Sequence, residues 1–421
     1  MKEITPVSKV NVTIEVPGSK SITQRALIAA ALADGDSTLL GPLASDDTAF
    51  TAMALRAMGI EVESQGNQWR VKGGGGRIKT PAKEIYLGNN GTATRFLTSV
   101  ASLGKGVFTI TGEKRMEERP IAPLMSALAG WGVDIKSIKG TGCPPLEIRA
   151  NGIDGGKTLL PEGKSSQYLS SLLLVAPYAR QKAELEVAGT LPSKPYVTMT
   201  MAVMDSFGIK VKANDSLNRF EIDQGCYQSR DYPIEGDASG ASYFFAAAAI
   251  TGGTVTVANV PRESLQGDTA LVGMLEKMGC RIDYDKGITV TGPRELKGIE
   301  VDMGDCPDVA PTLAVAAAMA RGRTVIRNVA HLRIKECDRL HAMATELSKL
   351  GVRLEEGPDE LIIDGAGPEG LHGADIDTYD DHRIAMCFGV AGLVIPGIRI
   401  QNEGCVAKSF PDFWKRFAKI R

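Results

Sequence analysis

Five stretches, ALRAMGIEVE (54–63), ALAGWGVDIK (127–136), AVMDSFGIKVK (202–212), MLEKMGCRIDY (274–284) and ELSKLGVRLEE (346–356), repeat one local plan. A helix end runs into a glycine and then a short apolar strand. The glycines, Gly59, Gly132, Gly208, Gly279 and Gly351, are 73, 76, 71 and 72 residues apart. A glycine just past a helix suits the left-handed conformation that closes its last turn, so the spacing marks five helix C-termini. A second series runs out of phase with the first: ALIAAALADGDSTLL (26–40), RFLTSVASLGKGVFTI (95–110), YLSSLLLVAPYARQKAELEV (168–187), SYFFAAAAITGGTVTV (242–257), TLAVAAAMARGRTVI (312–326) and IAMCFGVAGLVIPGIRI (384–400). These helices are apolar or small on most sides, as interior helices are, and each leads into a strand. The period of about 70 residues exceeds that of ordinary solenoid repeats, roughly 20–50. Six α/β units arranged as two domains of three are expected.

The rest of the composition limits the function classes. Lys and Arg number 48 and Asp and Glu 50, a net charge of −2, so no bulk field for nucleic acid or a membrane surface exists. Glycine is abundant, 47 of 421 residues, which suits close packing of backbone on backbone. Seven scattered cysteines form no CxxC pair, and four histidines form no HExxH pair; neither a disulfide framework nor a metal is expected. The first residues lack the apolar segment of a secretion signal, so a cytoplasmic location is expected. Neither Gly-Lys-Thr at 156–158 nor Gly-Lys-Ser at 163–165 has the glycine five positions upstream that a phosphate-binding P-loop requires.

Each apolar helix follows a short polar segment: GSKS (18–21), GNNGT (88–92), GKSSQ (163–167), GDAS (236–239), DCPD (305–308) and DDHR (380–383). Helix capping accounts for the Ser, Asp and Asn in them. It does not call for Lys20, Arg25, Arg95, Lys164 or Arg383 nearby, whereas anion binding at helix N-termini does. GEKRMEERPI adds Arg115 and Arg119 in what reads as an exposed loop. HLRIKECDRL adds Lys335, Glu336 and Arg339 at a helix start, with Lys335 and Arg339 on one face. Lys408 follows near the end of the chain. Asp308, in DCPDVAP, reads either as a cap or as an acid/base group.

Taken in order, PGSKSITQRAL, LGNNGTATR, RPI, KSSQY, SKPYV, EGDAS, PDVAP, KECDRL, DDHRIAM and AKSFPDF resemble the EPSP synthase family of enolpyruvyl transferases over nearly the whole chain. The resemblance implies two domains of three βαβαββ units around parallel buried helices, an inside-out α/β barrel. One lobe would span 17–234 and the other 1–16 plus 235–421, with crossings near 16–18 and 233–236. It implies the 3-phosphoshikimate 1-carboxyvinyltransferase reaction of aromatic amino acid biosynthesis: the enolpyruvyl group of phosphoenolpyruvate passes to the 5-hydroxyl of shikimate 3-phosphate. No cofactor is implied, and a monomer is expected.

By motif, Lys20, Ser21, Arg25, Ser165, Ser166, Gln167, Ser193, Tyr196, Asp308, His331 and Lys335 would hold shikimate 3-phosphate. Lys20, Gly91, Arg119, Gln167, Arg339, Arg383 and Lys408 would hold phosphoenolpyruvate. Asp308, Glu336 and Lys20 would move protons, with His382 close by. Three positions depart from the family pattern: His331 stands where many relatives carry Asn, Asn90 where Ala or Ser is common, and Phe96 where Pro is common. The alternatives are UDP-N-acetylglucosamine enolpyruvyl transferase and a non-catalytic anion-binding repeat protein. The first carries a cysteine in the loop matching 115–120, absent here, and Lys-Asn where this chain has Lys20-Ser21. The second gives no reason for Asp308 and Glu336 among the cations.

Overall fold

The computed structural model describes residues 1–161 and 165–420. Their contacts form two compact units. The continuous unit is Lys20–Ile234; the split unit joins Met1–Ser19 to the chain from Glu235 onward.

In the continuous unit three helices are interior: α1 (Lys20–Leu32), α3 (Gly91–Ser102) and α5 (Ser166–Val175). They pack on one another, and nearly every residue of each is buried. The half-exposed helices α2 (Asp46–Ala57), α4 (Ala122–Gly130) and α6 (Lys194–Ser206) alternate with them along the chain. The split unit repeats the plan. Buried α7 (Ala238–Thr251), α9 (Ala310–Ala318) and α11 (His382–Ala391) pack on one another, and α8 (Ala270–Lys277) and α10 (Arg339–Lys349) alternate with them. Small side chains let these helices approach until hydroxyls meet across them. Ser99 and Ser171 are 2.5 Å apart between α3 and α5, and Ser242 and Thr312 are 3.0 Å apart between α7 and α9.

Five four-stranded sheets share one topology. In the second repeat Ile85–Tyr86 runs parallel to Lys105–Thr111, which pairs antiparallel with Leu146–Asn151, which pairs antiparallel with Asp134–Ser137. The five predicted C′ glycines all follow an outer helix with φ between 83° and 109°, so each is left-handed as expected. The sixth repeat is shorter. Its sheet has three strands, and the antiparallel one is Lys2–Glu3, from the other end of the chain. After Lys408 comes the one-turn helix α12 (Phe413–Phe417), packed through Phe413 and Phe417 into the core and followed by the 3₁₀ turn Ala418–Ile420.

The four glycines at 73–76 divide between a strand and a turn. Gly73 and Gly74 belong to the strand Gln68–Gly74, and only Gly75 and Gly76 turn, with φ of 59° and 80°. Gly73 lies against the end of α1, where a β-carbon would stand 2.2 Å from the Ala33 carbonyl oxygen; Gly365 meets Ala320 in the same way at 2.4 Å. Close approach of strand to helix end thus explains part of the glycine content. No helix among the described residues is long and apolar enough to cross a membrane.

Candidate active site

In the continuous unit the candidate site residues gather around the N-terminal ends of α1, α3 and α5. Lys20 opens α1, and its ammonium lies 3.0 Å from Asp47 Oδ2, in the first turn of α2. The Asp47 carbonyl accepts hydrogen bonds from Gln24 Nε2, Asn90 Nδ2 and Thr51 Oγ1, which ties the starts of α1, α2 and α3 together. Asn90 also caps α3, accepting from the Ala93 amide at 2.9 Å. One departure from the family pattern is therefore a structural bracket here.

Arg25 is buried one turn into α1. Its guanidinium donates to Thr200 Oγ1 (2.7 Å), Ser21 O (2.9 Å), Tyr196 O (3.1 Å) and Ser170 Oγ (3.2 Å). The Phe96 and Tyr196 rings lie against it, with centroids 5.3 and 5.8 Å away. None of these partners is a carboxylate, and burial pulls its pKa down to about 10, with Tyr196 opposing. Phe96 thus supplies an aromatic face to a desolvated cation.

Gly91 opens α3 beneath two more guanidinium groups. A β-carbon there would lie 2.4 Å from Arg119 Nη2 and 2.7 Å from Arg95 Nη1, so only glycine lets both arginines close over the helix start. Arg119 is buried rather than loop-exposed. It follows the 3₁₀ turn Lys114–Glu118 and donates to Asn89 O (3.1 Å) and Oδ1 (2.9 Å). Arg95 donates to Gly91 O and Pro120 O, both at 2.9 Å, and Tyr168 donates to that same Pro120 oxygen. Ser165 caps α5 through the Gln167 amide, and Gln167 Nε2 donates to Thr92 Oγ1 at 3.0 Å, joining α5 to α3. Ser166 is buried in the first turn of α5. Ser193, at φ 56°, precedes α6, which carries Tyr196. Lys164 lies outside the described residues.

The split unit carries a denser cluster. Asp308 stands in the 3₁₀ turn Pro307–Val309 that leads into α9. Its Oδ2 accepts from Arg383 at 2.7 Å; its Oδ1 accepts from Arg339 at 3.2 Å and lies 3.5 Å from Lys335 Nζ. The capping alternative is not realised, because no side chain caps that turn or α9. Burial opposes ionisation of Asp308, but Arg383, Lys335 and Arg339 outweigh it and hold its carboxyl well below the usual range.

Arg339 is the first residue of α10, with Asp338 as cap. It donates to Glu336 Oε2 and Asp381 Oδ2, each at 2.6 Å. Lys335 and Glu336 therefore do not share a helix face with Arg339. They lie in the extended link after the 3₁₀ turn Ala330–Ile334, because Asp338, bonded to the His341 amide, starts the helix later than expected. Asp381 caps α11 through the Arg383 amide at 2.9 Å. Behind Arg383, at 3.5 Å each, are Ser239 Oγ and Tyr243 Oη, and Ser239 in turn donates to buried Asp268. Burial and the charge of Asp308 push the Asp268 carboxyl up to about 6, against Arg383 and the Ser239 bond.

His382 is buried in the first turn of α11. Burial and Lys335 pull the His331 imidazole down to about 4, with Asp308 opposing, so it is neutral near pH 7. Lys408 is half-buried and ends the 3₁₀ turn Glu403–Lys408, which packs on α11.

Asp47 and Asp268 carry no signal in the sequence, and Asp381, expected as a cap in DDHR, caps α11 and in addition pairs with Arg339. The chain thus has, in each of two repeat-built units, buried guanidinium groups gathered at helix N-termini, with acidic side chains among them in one. That architecture suits a protein that takes anionic ligands and holds acidic groups beside them.

Comparison with known proteins gives the family. Residues 4–417 match the model for EPSP synthase (3-phosphoshikimate 1-carboxyvinyltransferase). The chain is 45% identical over 415 residues to the 3-phosphoshikimate 1-carboxyvinyltransferase of Trichormus variabilis, covering 98% of this chain and 96% of the relative. It is 44% identical over 424 residues to the enzyme of the same name from Shewanella loihica, covering 99% and 98%. A solved structure of EPSP synthase from Acinetobacter baumannii matches with a TM-score of 0.82 at 30% identity, over 99% of this chain and 97% of that one. The chain belongs to the EPSP synthase family.

Proposed function

We propose that this chain transfers the enolpyruvyl group of phosphoenolpyruvate to the 5-hydroxyl of shikimate 3-phosphate and releases inorganic phosphate. Family membership across the chain supports the reaction. The observation that carries the chemistry is the cluster of Asp308 and Glu336 among Arg339, Arg383 and Lys335. A surface built only to bind anions gains nothing from two partly buried carboxylates, whereas proton transfer requires such groups.

In the first step the 5-oxygen bonds to C2 of phosphoenolpyruvate, the hydroxyl proton leaves, and C3 gains a proton. In the second a proton leaves C3, the C–O bond to phosphate breaks, and the double bond returns. Asp308 is ionised and suits the role of base toward the hydroxyl; Glu336 and Lys20 suit exchange at C3. Gly91, Arg119, Arg339, Arg383 and Lys408 hold the donor and stabilise the leaving phosphate, with Gln167 between the substrates. Ser21, Arg25, Ser165, Ser166, Ser193, Tyr196, His331 and Lys335 hold the acceptor. Arg25, with neutral partners only, is suited to a phosphate that supplies the missing negative charge. A neutral His331 would donate or accept one hydrogen bond where relatives use an amide.

All seven cysteines are free thiols, which supports a reducing compartment, and we place the enzyme in the cytoplasm as a monomer. A phosphate-release assay tests the reading. Turnover is expected with phosphoenolpyruvate plus shikimate 3-phosphate and none with UDP-N-acetylglucosamine. Turnover with the nucleotide sugar alone would overturn the assignment, and none with either would favour a non-catalytic anion binder.

A further inference from the structure

Glu346 lies two turns along α10 from Arg339, and its carboxylate is fully buried. Burying a carboxylate is costly unless it is fully bonded, and this one is. It lies 2.8 Å from Lys349 Nζ through each oxygen, and accepts from Tyr379 Oη at 2.8 Å and from the Asp377 amide at 3.2 Å. Two of those bonds reach outside α10, to the segment that feeds α11. There Tyr379 and Asp380 both have positive φ, 51° and 53°, an unusual conformation for two consecutive residues with side chains. The next residue is Asp381, fully buried, which accepts from Arg339 Nε and Nη2 and caps the Arg383 amide.

One helix therefore holds Arg339 directly and the backbone that aims Asp381 and Arg383 indirectly. We infer that Glu346 and Tyr379 are positioning residues for the phosphoenolpyruvate-binding arginines: their clamp holds the turn at 379–380 so that Asp381 registers Arg339 against Arg383. Neither residue needs to touch substrate to do so. The inference rests on reading Arg339 and Arg383 as donor ligands.

Tyr379→Phe removes one bond to Glu346 and leaves the ring in place; Glu346→Gln removes the charge on which all four bonds converge. Steady-state kinetics with both substrates varied, together with hydrogen exchange of amides 377–383, tests the clamp. In Glu346→Gln the phosphoenolpyruvate KM is expected to rise roughly tenfold, the scale of a lost bond to a buried charge. It should rise severalfold in Tyr379→Phe. The shikimate 3-phosphate KM should stay unchanged, kcat should stay within about threefold, and amides 377–383 should exchange faster. Equal rises in both KM values would indicate general loosening and overturn the inference. So would an unchanged donor KM; Arg383→Lys in the same assay then tells whether the reading of the arginines falls with it. If Glu346→Gln does not fold, Tyr379→Phe alone decides.

Discussion

Arg25 and Arg339 are equally buried, at 1% exposure each, yet they are stabilised in opposite ways. Arg25, in the continuous unit, is ringed by hydroxyls, carbonyls and two aromatic faces. Arg339, in the split unit, sits among Asp381, Glu336 and Asp308. Burial lowers the pKa of the first; in the second, burial is outweighed by Asp381 and Glu336, and the pKa rises. A buried cation without a carboxylate has its charge uncompensated inside the protein, whereas one paired with carboxylates is compensated in place. The buried guanidinium groups thus divide into one ringed by neutral partners and one paired with acids, and the proposed proton transfer draws on the acids of the second.

The sharpest test of that division is Asp308→Ala. It should lower kcat by about 10²–10⁴, typical of a lost general base, while calorimetry still detects shikimate 3-phosphate binding. Arg383→Ala should instead raise the phosphoenolpyruvate KM; near-normal kcat in both Asp308→Ala and Glu336→Ala would return the carboxylates to a structural role.

Stability of the ligand-free protein separates the two arginines next. Arg339→Met strands Asp381 and Glu336 and should cost about 3–5 kcal/mol in denaturant unfolding. Arg25→Met strands only neutral oxygens and relieves a desolvated charge, so its change should stay within about 1–2 kcal/mol. Equal losses would erase the contrast.

A smaller effect should follow pH. The folded carboxyl of Asp268 sits at about 6, above its unfolded value, so the folded state binds this proton more tightly. Its contribution favours folding below pH about 4 and is lost as pH rises through about 6. Asp268→Asn should therefore stabilise the protein at pH 7.5 relative to wild type, and the gain should vanish at pH 4. A gain independent of pH would refute the assignment. The smallest expected effect is that of metal removal. Among the described residues no cluster of His, Cys, Asp and Glu is arranged to hold an ion, and activity should survive EDTA.

Much of the fold could be read in advance because its determinants are local. Gly59 or Gly351 announces a left-handed closure by itself, and an Ala-rich run with no polar face announces an interior helix. The shortened sixth repeat could not be read, because its third strand, Lys2–Glu3, comes from nearly 400 residues away. At the site, Arg25, Arg95 and Arg383 stood out because capping never asks for an arginine, whereas Arg119 and Arg339 came from the family motifs and their burial was not legible. Asp47, Asp381 and Glu346 did not stand out: a carboxylate at a cap or inside a helix looks ordinary until the groups that meet it, such as Tyr379 at Glu346, are brought in by the fold. The start of α10 was placed too early because Lys335, four residues before Arg339, mimics a helical face, while Asp338 caps just ahead of Arg339.

The way the sheets borrow strands also bears on how the protein is made. Asn11–Ile14 pairs with Thr254–Val257, and Lys2–Glu3 with Arg399–Ile400, so these two strands have no sheet partner until residues more than 240 positions later have been translated. The continuous unit, by contrast, closes on itself once Asp231–Pro233 emerges to pair with its first sheet. During translation it can fold while residues 1–19, made before it, remain unpaired and exposed to chaperones and proteases.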